Sequence, residues 1–331
     1  MHTFFILLLS VALWLFSGCS SKEVFEPEHI SGEWERSGNL DEAIIDTTSD
    51  GALLEDGQIL THKGILKKKL PEGYRFIGES GGWIIAGKID GELQLISSDE
   101  GNKTIIFELK KTVAAASVQD DILAVLFASN EMALYSLSSK LPVFTEEGSP
   151  PIAVDSRIIN PHFLNELVLF LTLDGKIVIV NSESKTTLRT IIISSEDHFN
   201  NIIYFKMTGN NMVAATSYRL FAMAEKENRE SYELRDVIYN DEGIWISTKQ
   251  GEVISMTPSL QLKAKQKFPF AHLLGMIVSE KKIYLLEKEG YLIILDKDMI
   301  EYEIYEIEID EGFVFVSDKS FYFDDDYVTV E

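Results

Sequence analysis

Serine, histidine, carboxylate and lysine side chains stand at several spacings in this chain that could do chemistry. Gly78-Glu79-Ser80-Gly81-Gly82 has the G-x-S-x-G spacing that presents a serine nucleophile on a strand-to-helix turn. No helix follows: Trp83-Ile84-Ile85-Ala86 is an apolar strand run, so the segment reads as a glycine-rich turn between repeat units. Gly82 to Lys88 carries the G-x-x-x-x-G-K part of a phosphate-cradling loop, but Ile89 stands where Ser or Thr must reach the metal. His29, His62, His162, His198 and His272 are too far apart for a local metal pair, and no H-E-x-x-H occurs. Asp324-Asp325-Asp326 lacks the spaced acceptors and the glycine of a calcium loop, and reads as an exposed turn before the last strand. Lys67-Lys68-Lys69 reads as a solvated strand edge, and Trp34, Trp83 and Trp245 as core. No catalytic, cofactor-binding or metal-ligating set is assigned, and no cofactor is expected.

The elements that would carry such residues come as a repeat. Its unit is an apolar run, a tight polar turn, a second apolar run, and a third after another turn. Trp83–Gly87, the turn 88–91, Glu92–Ile96 and Thr104–Leu109 form the clearest copy. An Asp-Gly or similar pair between two apolar runs is a strong hairpin signal. It recurs at Asp174-Gly175, Gln250-Gly251 and Glu289-Gly290, and more faintly at Asp56-Gly57, Ser129-Asn130, Tyr218-Arg219 and Asp318-Lys319. The second turn residues stand at 57, 91, 130, 175, 219, 251, 290 and 319, on average about 37 apart. That is close to the roughly 40-residue period of four-stranded propeller blades. The expected fold is all-β: a single β-propeller of four-stranded antiparallel sheets over residues 41–331. Eight blades is the count of turns. Seven is the alternative, with incomplete first and last copies joining to close the ring.

Two segments depart from the pattern. Glu225 to Glu233 is charged enough for a short helical turn. Glu301 to Ile309 alternates acidic and apolar residues, but its phase slips at Ile304-Tyr305. Such a slip flips side chains to the other face, which a bulge or a hand-over between blades would accommodate.

Composition narrows the partners. The 331 residues hold 30 Lys and Arg against 53 Asp and Glu, for a net charge of −23. No basic face for nucleic acid is expected. Apolar residues are 45% and charged residues 25% of the chain, ordinary globular values that exclude wholesale disorder.

The N-terminus begins with an apolar run from Phe4 to Phe16, broken only by Ser10 and too short to span a bilayer. It has the length of a signal-peptide core, and the small residues Ser17 and Gly18 follow. Leu15-Phe16-Ser17-Gly18-Cys19 resembles a bacterial lipobox. The resemblance implies cleavage between Gly18 and Cys19, with lipidation of Cys19 and acylation of the new N-terminus. Cys19 is the sole cysteine, so it has no intramolecular disulfide partner. Residues 1–18 are then the signal peptide and 19–40 the lipidated N-terminus and tether. Ser20, where lipoprotein sorting would place Asp for inner-membrane retention, implies an outer-membrane anchor with the body in the periplasm.

Asp90-Gly91-Glu92-Leu93-Gln94-Leu95-Ile96-Ser97-Ser98-Asp99-Glu100-Gly101-Asn102-Lys103 resembles a degenerate repeat of PQQ-type propellers, with fainter echoes at 174–188 and 289–302. The tryptophan late in that family's repeat is replaced here by Ile106 or Phe107. The vicinal cysteine pair of its quinone dehydrogenases is absent from a body without cysteine. A lipid-anchored propeller lacking enzyme residues is similar to BamB-type lipoproteins, eight-bladed scaffolds of the outer-membrane β-barrel assembly machinery. The resemblance implies a non-enzymatic scaffold that docks an envelope protein, a barrel-assembly subunit first. The alternatives are a ligand-binding or enzymatic propeller with its site in the central funnel, and a surface-exposed adhesin. The funnel reading requires His, Asp, Glu or Arg side chains converging at the inner-strand ends.

Overall fold

The computed structural model describes residues 23–331 except Glu100 and Asn102. The signal peptide, Cys19 and the cleavage position before it lie outside the described residues. Each repeat becomes one antiparallel sheet for the reason its sequence suggests. Trp83–Gly87 and Glu92–Ser97 pair across a tight turn, where Gly91 takes φ 92°, a backbone region that favours glycine. Arg75–Ser80 adds on the inner side and Thr104–Glu108 on the outer. The middle strands are buried on both faces, which is why they read as continuous apolar runs. The outer strands alternate or are polar throughout.

Eight such sheets follow in order around a ring. Their inner strands are Ile44–Thr47, Arg75–Ser80, Val113–Gln119, His162–Leu164, Tyr204–Thr208, Leu234–Asn240, Leu273–Val278 and Val314–Val316. These begin blades 1 to 8. Each interface between neighbours holds one apolar cluster, including that between blades 8 and 1, where Phe315 meets Leu54 and Leu60. A face-to-face ring buries both sides of every sheet, so no blade needs a second layer.

Ring closure differs from the expectation in detail. Blade 1 is complete within 44–69, and only blade 8 is short, with three strands of its own. Its fourth, outermost strand is Gly38–Asn39, antiparallel to Asp326–Thr329. Ser37 and Leu40 donate backbone hydrogen bonds to Tyr327 and Asp325. Upstream, Gly32–Glu33 pairs in parallel with Tyr302–Glu306 and becomes a fifth strand on blade 7. Phe25 wedges edge-on against Phe268 and Tyr291, with ring centroids 6.1 and 5.6 Å apart. The stretch 25–40, expected as part of the tether, is therefore built into the propeller. Its short strands carry no alternation from which sequence could infer pairing.

This strap explains the phase slip. Tyr302–Glu306 is one regular strand, neither bulged nor a hand-over between blades. Ile304 packs between blades 6 and 7, while Tyr305 faces the other side and is covered by Trp34 at a centroid distance of 5.1 Å. Asp318-Lys319 joins the first two strands of blade 8, one hairpin earlier than the other markers; the equivalent turn is Asp324-Asp325. The glycines 81 and 82 turn the chain within blade 2, not between blades. The charged stretch 225–233 contains no helix; Glu227–Ser231 is the outer strand of blade 5. A strand at the rim is solvated on both faces, so it needs no apolar alternation.

Asp326 is not part of an exposed turn. It is fully buried, at 0% exposure. It accepts a hydrogen bond from Asn39 Nδ2 at 2.7 Å and forms an ion pair with Arg36. Both partners lie on the strap. Removing one partner of a buried ion pair leaves the other charge uncompensated. Arg36→Ala should lower the unfolding free energy by about 3 kcal/mol. Lys67→Ala, on an exposed outer strand, should change it by no more than about 0.5 kcal/mol. Urea midpoints of the two variants check this.

Candidate functional site

Inner strands cannot continue their ladders into the next blade, so side chains complete them. Asp50 accepts from Glu79 N at 3.4 Å, and Ser80 Oγ from Val118 N at 2.8 Å. Tyr204 Oη accepts from Tyr239 N at 2.8 Å, and Asp236 Oδ2 from Met276 N at 3.0 Å. Each bond stitches one blade to its neighbour. Ser80, the serine of the nucleophile-like spacing, thus spends its hydroxyl on an inter-blade link. Lys88, of the phosphate-loop spacing, pairs with Glu92 at 3.1 Å and lies over the Tyr74 ring.

One long connection enters the middle of the ring. Residues 147–161 run from blade 3 to an unusually short inner strand in blade 4. Asn160 donates to Ile77 O and accepts from Ala116 N, both at 2.9 Å, and so touches blades 2 and 3. A Cβ on Gly78 would come within 2.6 Å of the Asn160 amide, a close approach that favours glycine there. Arg157 reaches the other way, donating to the Arg235 carbonyl in blade 6. Asn201 pins the segment through Asp155 N at 2.7 Å and Arg157 O at 3.0 Å.

Where this segment meets blades 5, 6 and 7, a cavity of about 420 Å³ opens at the mouth of the ring. Its polar wall is Asp155, Arg157, Ser217, Arg235, Lys249 and His272; Leu273, Leu274, Val154 and Phe199 supply the apolar part. Arg235 arrives there through a bulge. Leu234 and Asp236 have partners in register, and Arg235 between them has none. Bulges occur at the corresponding place in blades 1, 2, 3 and 7.

The charges are unevenly matched. Arg157 binds Asp155 through Nε at 2.8 Å and Nη2 at 2.6 Å, and Ser217 Oγ donates to the same carboxylate at 3.0 Å. Burial raises the Asp155 carboxyl, but the Arg157 hydrogen bonds and charge outweigh it and hold it at about 2. Arg235 has no such partner. Its Nε is buried without a hydrogen bond, and among the described residues it forms no ion pair. Burial, then the Arg157 charge, push its pKa down. Beneath it, burial pushes the Asp236 carboxyl up to about 6.

The sequence-derived candidates do not gather here, apart from His272. His29, His62, His162 and His198 are exposed at separate places. Among the described residues no group of three or more His, Cys, Asp or Glu is placed to hold a metal ion. Trp245 is core, whereas Trp34 and Trp83 are half-buried. The cavity is nonetheless lined by the charged side chains Asp155, Arg157, Arg235 and Lys249. Arg157, Arg235 and Lys249 escaped the sequence reading because three separate elements bring them together. The one available signal was a charged pair, Arg235-Asp236, opening an apolar strand.

No family model matches the chain. Two plasminogen-binding proteins PgbB, from two strains of Helicobacter pylori, are 29% and 28% identical over 369 aligned residues. Each alignment spans 96% of this chain and 68% of the relative. Among solved structures, BamB from Moraxella catarrhalis superposes with a TM-score of 0.66 at 14% identity, covering 87% of this chain and 96% of that one. The C-terminal WD40 domain of Sif2 gives 0.65 at 11% identity, covering 92% and 100%. The chain is a BamB-like propeller in fold.

The half-buried, desolvated Asp236 gives a test of this geometry. An acid whose folded pKa exceeds its unfolded 3.8 stabilises below about pH 4 and loses that contribution as pH rises through about 6. Asp236→Asn removes the loss. Relative to wild type it should gain on the order of 2–3 kcal/mol between pH 4 and 6, on top of a constant offset, and then level off. Urea denaturation of both proteins across pH 3.5–7.5 reads the difference.

Proposed function

We propose that this protein is a non-enzymatic, protein-binding β-propeller held at the outer membrane by lipid on Cys19, and that plasminogen is a partner. The observation that carries the reading is the alignment of 96% of the chain with proteins named for plasminogen binding. A second reading, docking to a barrel-assembly subunit on the periplasmic side, draws on the shared fold with BamB. Two or three acyl chains at Cys19 would anchor the body stably where one would not. Phe25 is packed between blades 6 and 7, six positions after Cys19. Six extended residues reach about 20 Å at most. The anchor would therefore keep the blade 6–7 rim toward the bilayer and leave the opposite rim for a partner.

Two outcomes test the reading. Cys19→Ala should abolish palmitate incorporation and move the protein from the membrane to the soluble fraction; continued labelling or membrane retention would remove the anchor from the account. The purified lipidated protein in detergent should bind immobilised plasminogen with a Kd in the micromolar range or tighter. No binding at about 10 μM would overturn plasminogen as partner. A crosslinked pull-down from the native envelope that recovers a barrel-assembly subunit would then favour the second reading.

A further inference from the structure

We infer that the cavity at the mouth of the ring, between the 154–157 segment and blades 5, 6 and 7, is a carboxylate-binding site anchored by Arg235 and Lys249. The inference stands apart from the identity of any protein partner. Although its net charge is −23, the chain places Arg157, Arg235 and Lys249 around one cavity, against a single lining carboxylate. That carboxylate, Asp155, is already held by Arg157 and Ser217. The remaining cations have no anionic partner among the described residues, and the nearest ring contact of Lys249 is Tyr218 at 5.4 Å. The Arg235 Nε is buried and makes no hydrogen bond.

Arg235 lines the cavity without an anionic partner among the described residues, and a ligand carboxylate there would be held by charge-assisted hydrogen bonds. Guanidinium geometry matches the two oxygens of a carboxylate. Val154, Phe199, Leu273 and Leu274 form an apolar wall beside these cations. The cavity therefore suits a carboxylate on a short apolar body, and its volume of about 420 Å³ has room for a small acid or the last residues of a peptide. The groove at Tyr218, lined by Glu196, Asp197 and Glu233 along with Arg219 and His198, holds more acid than base and would turn the same ligand toward Arg235. Arg157 is the positioning residue: it binds Asp155 and the Arg235 carbonyl, and so holds both walls of the cavity together.

Isothermal titration of the lipidated protein in detergent with two probes tests the site. One probe is succinate; the other is an acetylated apolar tripeptide with a free C-terminus, set against its C-terminal amide. At least one free acid should bind, more weakly as salt is raised, and the amide should bind at least tenfold more weakly than the peptide acid if the peptide is the probe that binds. Arg235→Met and Lys249→Gln should each weaken binding about tenfold, whereas Lys67→Gln should leave it unchanged. Lys249 is exposed on a turn, so its variant tests the site even if Arg235→Met does not fold. Binding of succinate alone identifies a small acid as the ligand class; binding of the peptide acid identifies a chain terminus. The inference is overturned if neither probe binds at millimolar concentration, if the peptide acid binds and its amide binds as tightly, or if Lys249→Gln binds as wild type does.

Discussion

A ring of blades needs one joint that the order of the repeats does not provide, and here two residues of strand supply it. Gly38–Asn39 completes blade 8, and the contacts that hold it converge on Asp326, a fully buried carboxylate answered by Asn39 and Arg36. The closing pairs join residues nearly 290 positions apart in sequence. Closing so long a loop costs entropy, though the cost grows only slowly with length. It is offset by contacts well beyond two hydrogen bonds. Gly32–Glu33 extends blade 7, Trp34 covers Tyr305, and Phe25 fills the seam between blades 6 and 7. With that joint made, every blade has a neighbour on both faces and the eight apolar clusters form a closed circuit.

The same closure organises the middle of the molecule. Inner strands meet side by side without a shared ladder, so their polar groups depend on Asp50, Ser80, Asn160, Tyr204 and Asp236 as bridges. Bulges near the start of five inner strands release one residue each from register. In blade 6 the released residue is Arg235. The 147–161 connection then brings Arg157 and Asp155 against it. A polar, cationic mouth thus arises from the geometry of closing the ring, within a protein that is acidic elsewhere.

Most of the hairpins were legible because their two middle strands are buried on both faces and separated by turn residues such as Gly91, Gly175 and Gly251. The outer strands were less so. Glu227–Ser231 is polar because both of its faces meet water, and local sequence alone does not separate that from a helical turn. The Ile304-Tyr305 slip was visible, but its cause lies 271 residues upstream in Trp34, beyond the reach of any local pattern. The last marker fell on the wrong hairpin because Asp318-Lys319 and Asp324-Asp325 are both polar pairs between apolar runs. The cationic mouth was illegible for a related reason. Its side chains come from an inter-blade connection, a bulge and a turn, which only the completed ring brings together.

Native-state hydrogen exchange, read by mass spectrometry on peptides covering 31–39 and 314–330, tests the joint most directly. If the strap is the missing strand of blade 8, the two regions open together, and their opening free energies agree within about 1 kcal/mol. Exchange of 31–39 at unprotected rates while 314–330 stays protected would mean that blade 8 stands without the strap, and would contradict the account of how the ring is closed.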